Sequence, residues 1–356
     1  MSKAHKRSAI GWGPWFHHQL SPDELGQACP YRVMEARRGQ LTLFSGEAEL
    51  TLSLKGKIVE ELGQDQIAVG DWLIVSKIDG SLIRILERTS LIKRLAAGSD
   101  GLHQMVAANI DTLFIVTSCN DDFNLSRLER YLAIAYASGV YPVIILTKKD
   151  MTDDAQVYVK RSRTLGKDIA IRTINAHDPS TPHLLQNWCK AGQTIALVGS
   201  SGVGKSTLVN TLGAAHQKTG EIREGDSKGR HTTTHRSLQP IADGPILLDS
   251  PGMRGIGLVD AESGLEKAFE EIVLLSQNCR FSDCQHDQEP GCAITEAINN
   301  KTLTLRRVNN YNKLMAEQKW NSMPEIERRT RDKAAAKAHK KAPPSKRSKR
   351  KSQHFR

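Results

Sequence analysis

Hydrophobic and polar positions follow two different rules along this chain. Between residues 31 and 95 the runs are short and alternating: Tyr31–Ala36, Gln40–Phe44, Glu49–Leu54, Lys57–Glu61, Asp71–Ile78 and Leu82–Glu87. Turn residues separate them, among them Arg38-Gly39, Ser45-Gly46, Lys55-Gly56, Val69-Gly70-Asp71 and Asp79-Gly80. About five closely spaced strands predict a small closed β-barrel, with the OB-fold as the leading topology. Such a barrel either binds nucleic acid or serves as a packing module, and the pattern leaves both open. From about residue 110 the period changes. Ile110–Thr117, Val140–Leu146, Ile169–Thr173, Thr194–Val198 and Pro245–Leu248 read as buried parallel strands. Leu125–Ala137 sets Leu125, Leu128, Leu132, Ala135 and Tyr136 on one helical face, and residues 153–165 and Thr181–Lys190 are further helical segments. Strands alternating with helices predict an α/β domain with a parallel sheet. Beyond Gly257 the sheet pattern stops; Glu262–Gln277 and a polar segment through Trp320 are helical. The predicted organisation is multidomain: a flexible leader (1–30), a barrel (31–95), an α/β domain (96–258), a mostly helical module (259–320) and a disordered basic tail (321–356).

The 39% hydrophobic content is that of a globular protein with real cores. No run approaches the ~18 apolar residues of a membrane span, and the polar N-terminus lacks a signal-peptide core, so the expectation is a cytoplasmic protein without membrane contact. The net charge of +11 is concentrated: residues 331–356 hold eleven Lys/Arg against one Asp. That stretch is either a solvated end or an electrostatic attachment to a polyanion, and it can be both. In the leader, Lys3, His5, Lys6 and Arg7 precede Trp12, Trp15, Phe16, His17 and His18. This mixture suits RNA contact, and it equally suits a leader with packing aromatics.

The chemistry begins at Gly199-Ser200-Ser201-Gly202-Val203-Gly204-Lys205-Ser206, a G-x-x-x-x-G-K-S phosphate loop between a strand-like run and the helix-like Ser206-Thr207-Leu208-Val209-Asn210. Its glycines let backbone N–H groups converge on phosphates at a helix N-terminus. Lys205 reaches the β- and γ-phosphates and the Ser206 hydroxyl binds Mg2+. Upstream, the run ending at Leu146 leads into Thr147-Lys148-Lys149-Asp150, which resembles the guanine motif Asn-Lys-x-Asp with Thr147 in place of Asn. A carboxylate at Asp150, set edge-on to the base, accepts from guanine's ring N–H and exocyclic amine, donors that adenine does not offer there. Asn175-Ala176, after the next strand, resembles the short element whose backbone N–H meets guanine O6. Downstream lies Gly229-Arg230-His231-Thr232-Thr233-Thr234, where Thr233 is the candidate Mg2+ and γ-phosphate ligand of a switch loop. Asp249-Ser250-Pro251-Gly252 then forms an Asp-x-x-Gly motif, Asp249 holding Mg2+ through water and the Gly252 N–H meeting the γ-phosphate.

Three of the six cysteines lie within fourteen residues, and Cys279, Cys284, His286 and Cys292 give Cys-x4-Cys-x-His-x5-Cys. Three thiolates and one imidazole suit a closed tetrahedral Zn2+ site, hence a structural metal stapling a loop too small to bury a core.

All five GTPase elements are present, but the guanine elements precede the phosphate loop and the switches follow it. This order, with a barrel before it and the cysteine cluster after it, resembles the circularly permuted GTPases that depend on the small ribosomal subunit. The resemblance covers about residues 35–315. It implies a monomeric GTPase that uses GTP/GDP, Mg2+ and one structural Zn2+, binds the small (30S) subunit and its rRNA, and acts in late maturation of that subunit. Met253 stands where many GTPases place a water-orienting Gln. Intrinsic hydrolysis is therefore expected to be slow and completed by the partner. His231 is a candidate substitute for the glutamine, or an ordinary switch-loop histidine. The alternative is an RNA-binding module that senses GTP/GDP without turnover.

Overall fold

The computed structural model describes residues 3–37, 39–54, 66–95, 103–213, 236–249, 257–286, 289–323, 327–328 and 330–331. Lys57–Glu61, His231, Thr233, Gly252, Met253 and the tail beyond residue 331 lie outside them. Among the described residues no helix is long and apolar enough to cross a membrane.

The strands are β1 (Ala28–Arg37), β2 (Gln40–Phe44), β3 (Glu49–Ser53), β4 (Trp72–Ser76), β5 (Leu82–Ile85), β6 (Leu91–Leu95), β7 (His103–Ala108), β8 (Thr112–Ser118), β9 (Tyr141–Thr147), β10 (Ala170–Thr173), β11 (Thr194–Val198), β12 (Arg236–Pro240) and β13 (Ile246–Asp249). Eleven of them form one sheet in the order β10-β9-β8-β11-β13-β12-β1-β2-β3, with β4 beside β1 and β5 beside β4. The first five in that order are mutually parallel. All seven residues of β8 are buried, as expected for a central parallel strand covered on both faces. Period-two alternation divides its neighbours cleanly. Leu113, Ile115, Ile144, Leu146, Ala196 and Val198 share a core with Leu128, Leu132 and Ala135 of the helix Leu125–Ala137. Phe114, Val116, Val143, Ile145 and Ile195 share the opposite core with Leu208, Val209 and Leu212 beyond the phosphate loop.

The N-terminal strands pair β3-β2-β1-β4-β5, all antiparallel, with a register shift in β1 between Val33 and Glu35. β1 also pairs antiparallel with β12 (Glu35↔Ser237, Ala36↔Arg236), so the N-terminal sheet and the α/β sheet are continuous. Two expectations need correction. The boundary at residue 95 falls inside an antiparallel hairpin, because β6 pairs with β7 (Ile92↔Ala107) and Ile92, Val106 and Ala107 are buried together. The leader is not loose: it forms short helices at Lys3–Ser8, Pro14–His17 and Pro22–Gln27. Ile10 and Phe16 are buried, and Trp12 and Phe16 close on Trp72 with ring centroids 4.8 and 5.8 Å away. Trp12 and Phe16 therefore serve packing, whereas Trp15 stays exposed. Downstream, Thr181–Lys190 is helical only over Thr181–Leu185.

The C-terminal helices are Glu262–Ala268, Glu270–Ser276, Ala293–Asn299 and Leu305–Asn321. The first lies against Leu125–Ala137 so closely that a Cβ at Gly264 would sit 2.2 Å from the Ala133 carbonyl oxygen.

Candidate functional site

The parallel strands deliver Ser118, Thr147, Thr173, Val198 and Asp249 to one end of the sheet, where loops collect ligands in open α/β folds. β11 stops at Val198 and the chain turns back tightly over β8. Gly199 has φ +146, and a Cβ there would lie 2.1 Å from the Val116 carbonyl oxygen, so only glycine fits. The loop closes at Gly204, φ +92, which caps the helix Lys205–Thr211. The backbone N–H groups of Ser201, Gly202, Val203 and Gly204 find no acceptor among the described residues. Consecutive unpaired donors at a helix start form an anion cradle, and a phosphate supplies what they lack. The Lys205 ammonium reaches back over the loop and donates to the Gly199 carbonyl (2.9 Å) and to that of Ser200. It thus lies across the cradle, where phosphate oxygens would take over its bonds. Ser206 and Thr207 follow in the first turn, both half-buried.

The guanine-motif residues occupy the next loops along the sheet. Thr147 ends β9 fully buried, and its hydroxyl donates to the Val203 carbonyl of the phosphate loop (2.6 Å), with the Thr117 carbonyl oxygen 3.2 Å away. The departure from Asn therefore keeps a tether between the two loops and a neutral hydrogen-bonding group. Lys148 adopts φ +58, and Lys149–Met151 forms one 3-10 turn that leaves Asp150 exposed. Asn175 and Ala176 follow β10, with Ala176 buried. The Lys149 N–H donates to the Ile174 carbonyl (3.3 Å), joining the two base loops. The structure thus brings the phosphate loop, Thr147 to Asp150 and Asn175-Ala176 to one end of the sheet. Asp249 closes β13, which runs parallel to β11 (Ile195↔Leu247), and accepts from the Gln239 amide (3.3 Å). Sequence reasoning missed two tethers: Thr181 donates to the Asn175 carbonyl (2.7 Å) and Thr211 to that of Ala176 (2.6 Å). No sequence signal distinguishes these threonines from ordinary helix residues.

The cysteine cluster assembles as its spacing predicts. The ligand atoms of Cys279, Cys284, His286 and Cys292 all lie within 4.8 Å of one another. Cys279 Sγ and Cys292 Sγ each lie 3.6 Å from His286 Nδ1 and 4.0 Å from each other. A zinc tetrahedron with Zn–S about 2.3 Å and Zn–N about 2.1 Å needs edges of this length, so the donor set fits the ion. His286 takes φ +64 to turn its ring inward. Cys292 caps the helix Ala293–Asn299. Burial disfavours its thiolate, but Thr295's hydroxyl and backbone N–H and the neighbouring His286 outweigh this and draw Cys292 down to about 6. By contrast, burial pushes Cys119 up to about 11 and Cys189 to about 12, so both remain thiols.

Sheet order, loop order and the phosphate cradle define a circularly permuted P-loop GTPase fold. The crystal structure of YjeQ from Thermotoga maritima superposes with a TM-score of 0.59 at 23% identity, covering 82% of this chain and 98% of that one. That of YloQ, a circularly permuted GTPase, gives 0.55 at 22%, covering 83% and 96%. In sequence, the family RsgA GTPase matches residues 85–259. The Vibrio vulnificus small ribosomal subunit biogenesis GTPase RsgA 2 is 44% identical over 340 residues, 95% of each chain. The Mesorhizobium japonicum small ribosomal subunit biogenesis GTPase RsgA is 44% identical over 317 residues, 88% of this chain and 90% of its own. The chain belongs to the RsgA GTPase family.

Proposed function

We propose that this protein is a GTP hydrolase of small-subunit biogenesis: it binds the 30S particle, cleaves the β–γ bond of GTP to give GDP and phosphate, and uses that step to time its release late in maturation. The observation that carries the reading is the set of unpartnered N–H groups at Ser201–Gly204, held beside the base loops by the Thr147 hydroxyl. Asp150 selects guanine, the Asn175-Ala176 turn offers backbone N–H groups to the base, and Gly199–Thr207 holds the phosphates. Ser206 and Asp249, with Thr233 of the switch segment, would hold Mg2+, which when bound neutralises charge developing on the phosphate oxygens. Lys205 swings from its loop carbonyls to the β- and γ-phosphates. The Gly252 N–H meets the γ-phosphate, and His231 stands in for the glutamine replaced by Met253. Cys279, Cys284, His286 and Cys292 hold a structural Zn2+.

The N-terminal strands act as an OB-fold which, with the zinc module and the basic tail, contacts rRNA. The protein works as a monomer in the cytoplasm, where subunits mature. The deciding measurement is phosphate release titrated with purified small and large subunits at several salt concentrations. Small subunits alone are expected to raise turnover, with stimulation falling as salt rises because phosphate contacts release counterions. Turnover that small subunits leave unchanged would favour the alternative, a GTP/GDP sensor. Asp150→Asn is expected to exchange guanine for xanthine preference, and equal binding of ATP and GTP by the unaltered protein would overturn the guanine assignment.

A further inference from the structure

Resting on that guanine reading, we propose that Thr211 is a positioning residue for base recognition, fixing the Asn175-Ala176 turn so that the Ala176 N–H is presented to guanine O6. The backbone N–H groups of Asn175 and Ala176 find no acceptor among the described residues, although Ala176 is only 5% exposed. A buried, unpaired donor costs free energy unless a ligand completes it. Both carbonyls of the same turn are engaged, and by threonine hydroxyls. Thr181 donates to the Asn175 carbonyl at 2.7 Å, and Thr211 to that of Ala176 at 2.6 Å. The Asn175 side chain meanwhile accepts from the His177 N–H at 2.9 Å. The turn is thus held on its acceptor side and left open on its donor side.

Thr211 differs from Thr181 in where it comes from. It lies in the last turn of Lys205–Thr211, the helix whose other end is the phosphate loop. A threonine there ordinarily bonds back to a carbonyl of its own helix. This one reaches across to a different loop instead. The start of the same helix also borders the turn, since a Cβ on Gly204 would lie 3.8 Å from Ala176 Cβ and 3.7 Å from Thr147 Oγ1. One helix therefore sets the height of the base loop relative to the phosphate cradle. The Thr211 hydroxyl thus links the phosphate-loop helix to this turn, as Thr147 links the phosphate loop to the other base loop.

The test is equilibrium binding of GDP, 6-thio-GDP and ADP to the full chain and to its Thr211→Val and Thr211→Ser variants. 6-Thio-GDP keeps both donors that Asp150 reads but replaces O6 with a weaker acceptor. Loss of one hydrogen bond predicts that Thr211→Val binds GDP about fivefold more weakly. Its affinity for 6-thio-GDP should change little, so that its preference for oxygen over sulfur narrows. Thr211→Ser, which keeps the hydroxyl, should restore the preference. Undiminished GDP binding by Thr211→Val overturns the proposal, and so does an equal loss for both ligands, which marks a merely structural threonine. If the unaltered protein binds ADP as tightly as GDP, the guanine reading fails as well. A GDP preference that ignores Thr211 sinks this inference alone.

Discussion

The α/β domain is joined to its two neighbours in opposite ways. On the N-terminal side the joint is a backbone ladder, β12 to β1, reinforced by Arg32. Arg32 is 1% exposed and donates to the Ile10 carbonyl (2.7 Å), the Asn109 carbonyl (3.1 Å) and the Thr194 hydroxyl (2.8 Å). It links the leader, the N-terminal sheet and the α/β domain through neutral acceptors, and burial pulls its guanidinium down to about 10. On the C-terminal side no strand crosses among the described residues. Helix meets helix at Gly264, and the fully buried Glu129 of Leu125–Ala137 accepts from Arg306 (2.7 Å), Arg307 (2.9 Å) and Asn310. Arg307 also bonds Glu271 and the Ala268 carbonyl (2.9 Å), and lies over the Phe269 ring. One joint hydrogen-bonds a buried cation to neutral acceptors, with Asp111 and Asp71 acting on it only through their charge; the other bonds carboxylate directly to guanidinium. Residues 258–260, downstream of β13, are held from both sides: Asn321 donates to the Leu258 carbonyl (2.8 Å), and Lys93 of β6 pairs with Asp260 (3.0 Å). A nucleotide-driven shift of that segment would therefore move the helical module as a docked body, since detachment would strand Glu129 and its arginines.

The difference predicts unequal failures. Glu129→Ala leaves Arg306 and Arg307 without their shared carboxylate. Removing one partner of a buried pair costs about 3–5 kcal/mol. Hydrogen exchange should then rise in Glu262–Ser276 and Leu305–Asn321 while β1 to β5 stay protected; equal loosening of both regions would erase the contrast between the joints. Arg32→Met keeps much of the buried stem but leaves the Ile10 and Asn109 carbonyls unpaired. At about 1–3 kcal/mol for each unsatisfied buried group, part of which water recovers, the expected cost is about 2–3 kcal/mol, somewhat below that of Glu129→Ala. Here the exchange should rise in the leader and β1. If it rises in the C-terminal helices instead, Arg32 is not the tie of the N-terminal joint.

These joints mark where the sequence stops being readable. Leu125–Ala137 is legible to its ends, because its apolar face repeats at helical spacing. The parallel strands are legible for the same reason: both faces are buried, so they appear as unbroken apolar runs. The phosphate loop, the base motif and the cysteine spacing are legible because each is local, its residues within a dozen or so positions of one another. Glu129 and Arg307 are 178 residues apart, and Arg32 and Thr194 are 162. Helical spacing sets Glu129 among Leu125, Leu132 and Tyr136 on the apolar face, but nothing nearby in sequence names the arginines that satisfy it, and Gly264 reads as a weak helix position rather than a close crossing. The leader stays ambiguous in the sequence for a related reason. Its basic and aromatic composition suits RNA, but Trp72, against which its rings pack, lies more than fifty residues downstream. Thr147 is an intermediate case: the motif places it, while only the Val203 contact gives its purpose.

The smallest effect sharpens the N-terminal joint from its outer edge. Glu24 completes the capping box of Pro22–Gln27 with Ser21 and accepts from Arg84 of β5 at 2.7 and 2.9 Å. The Arg84 hydrogen bonds, opposed by burial and aided by Ser21, hold the Glu24 carboxyl at about 2, below its ordinary 4.5. A carboxyl depressed on folding binds its proton more tightly in the unfolded chain. Its stabilisation is therefore complete above about pH 4.5 and is lost as the pH falls towards 2. An ion pair of this kind is worth under about 1 kcal/mol and weakens with salt. Glu24→Gln should accordingly lower stability slightly at pH 7, with the gap to the unaltered protein closing between pH 4.5 and 2. Hydrogen exchange of residues 14–27 gives the local readout, because this helix continues the leader. A gap that persists unchanged down to pH 2 would mean that the charge on Glu24 contributes nothing to holding the leader in place.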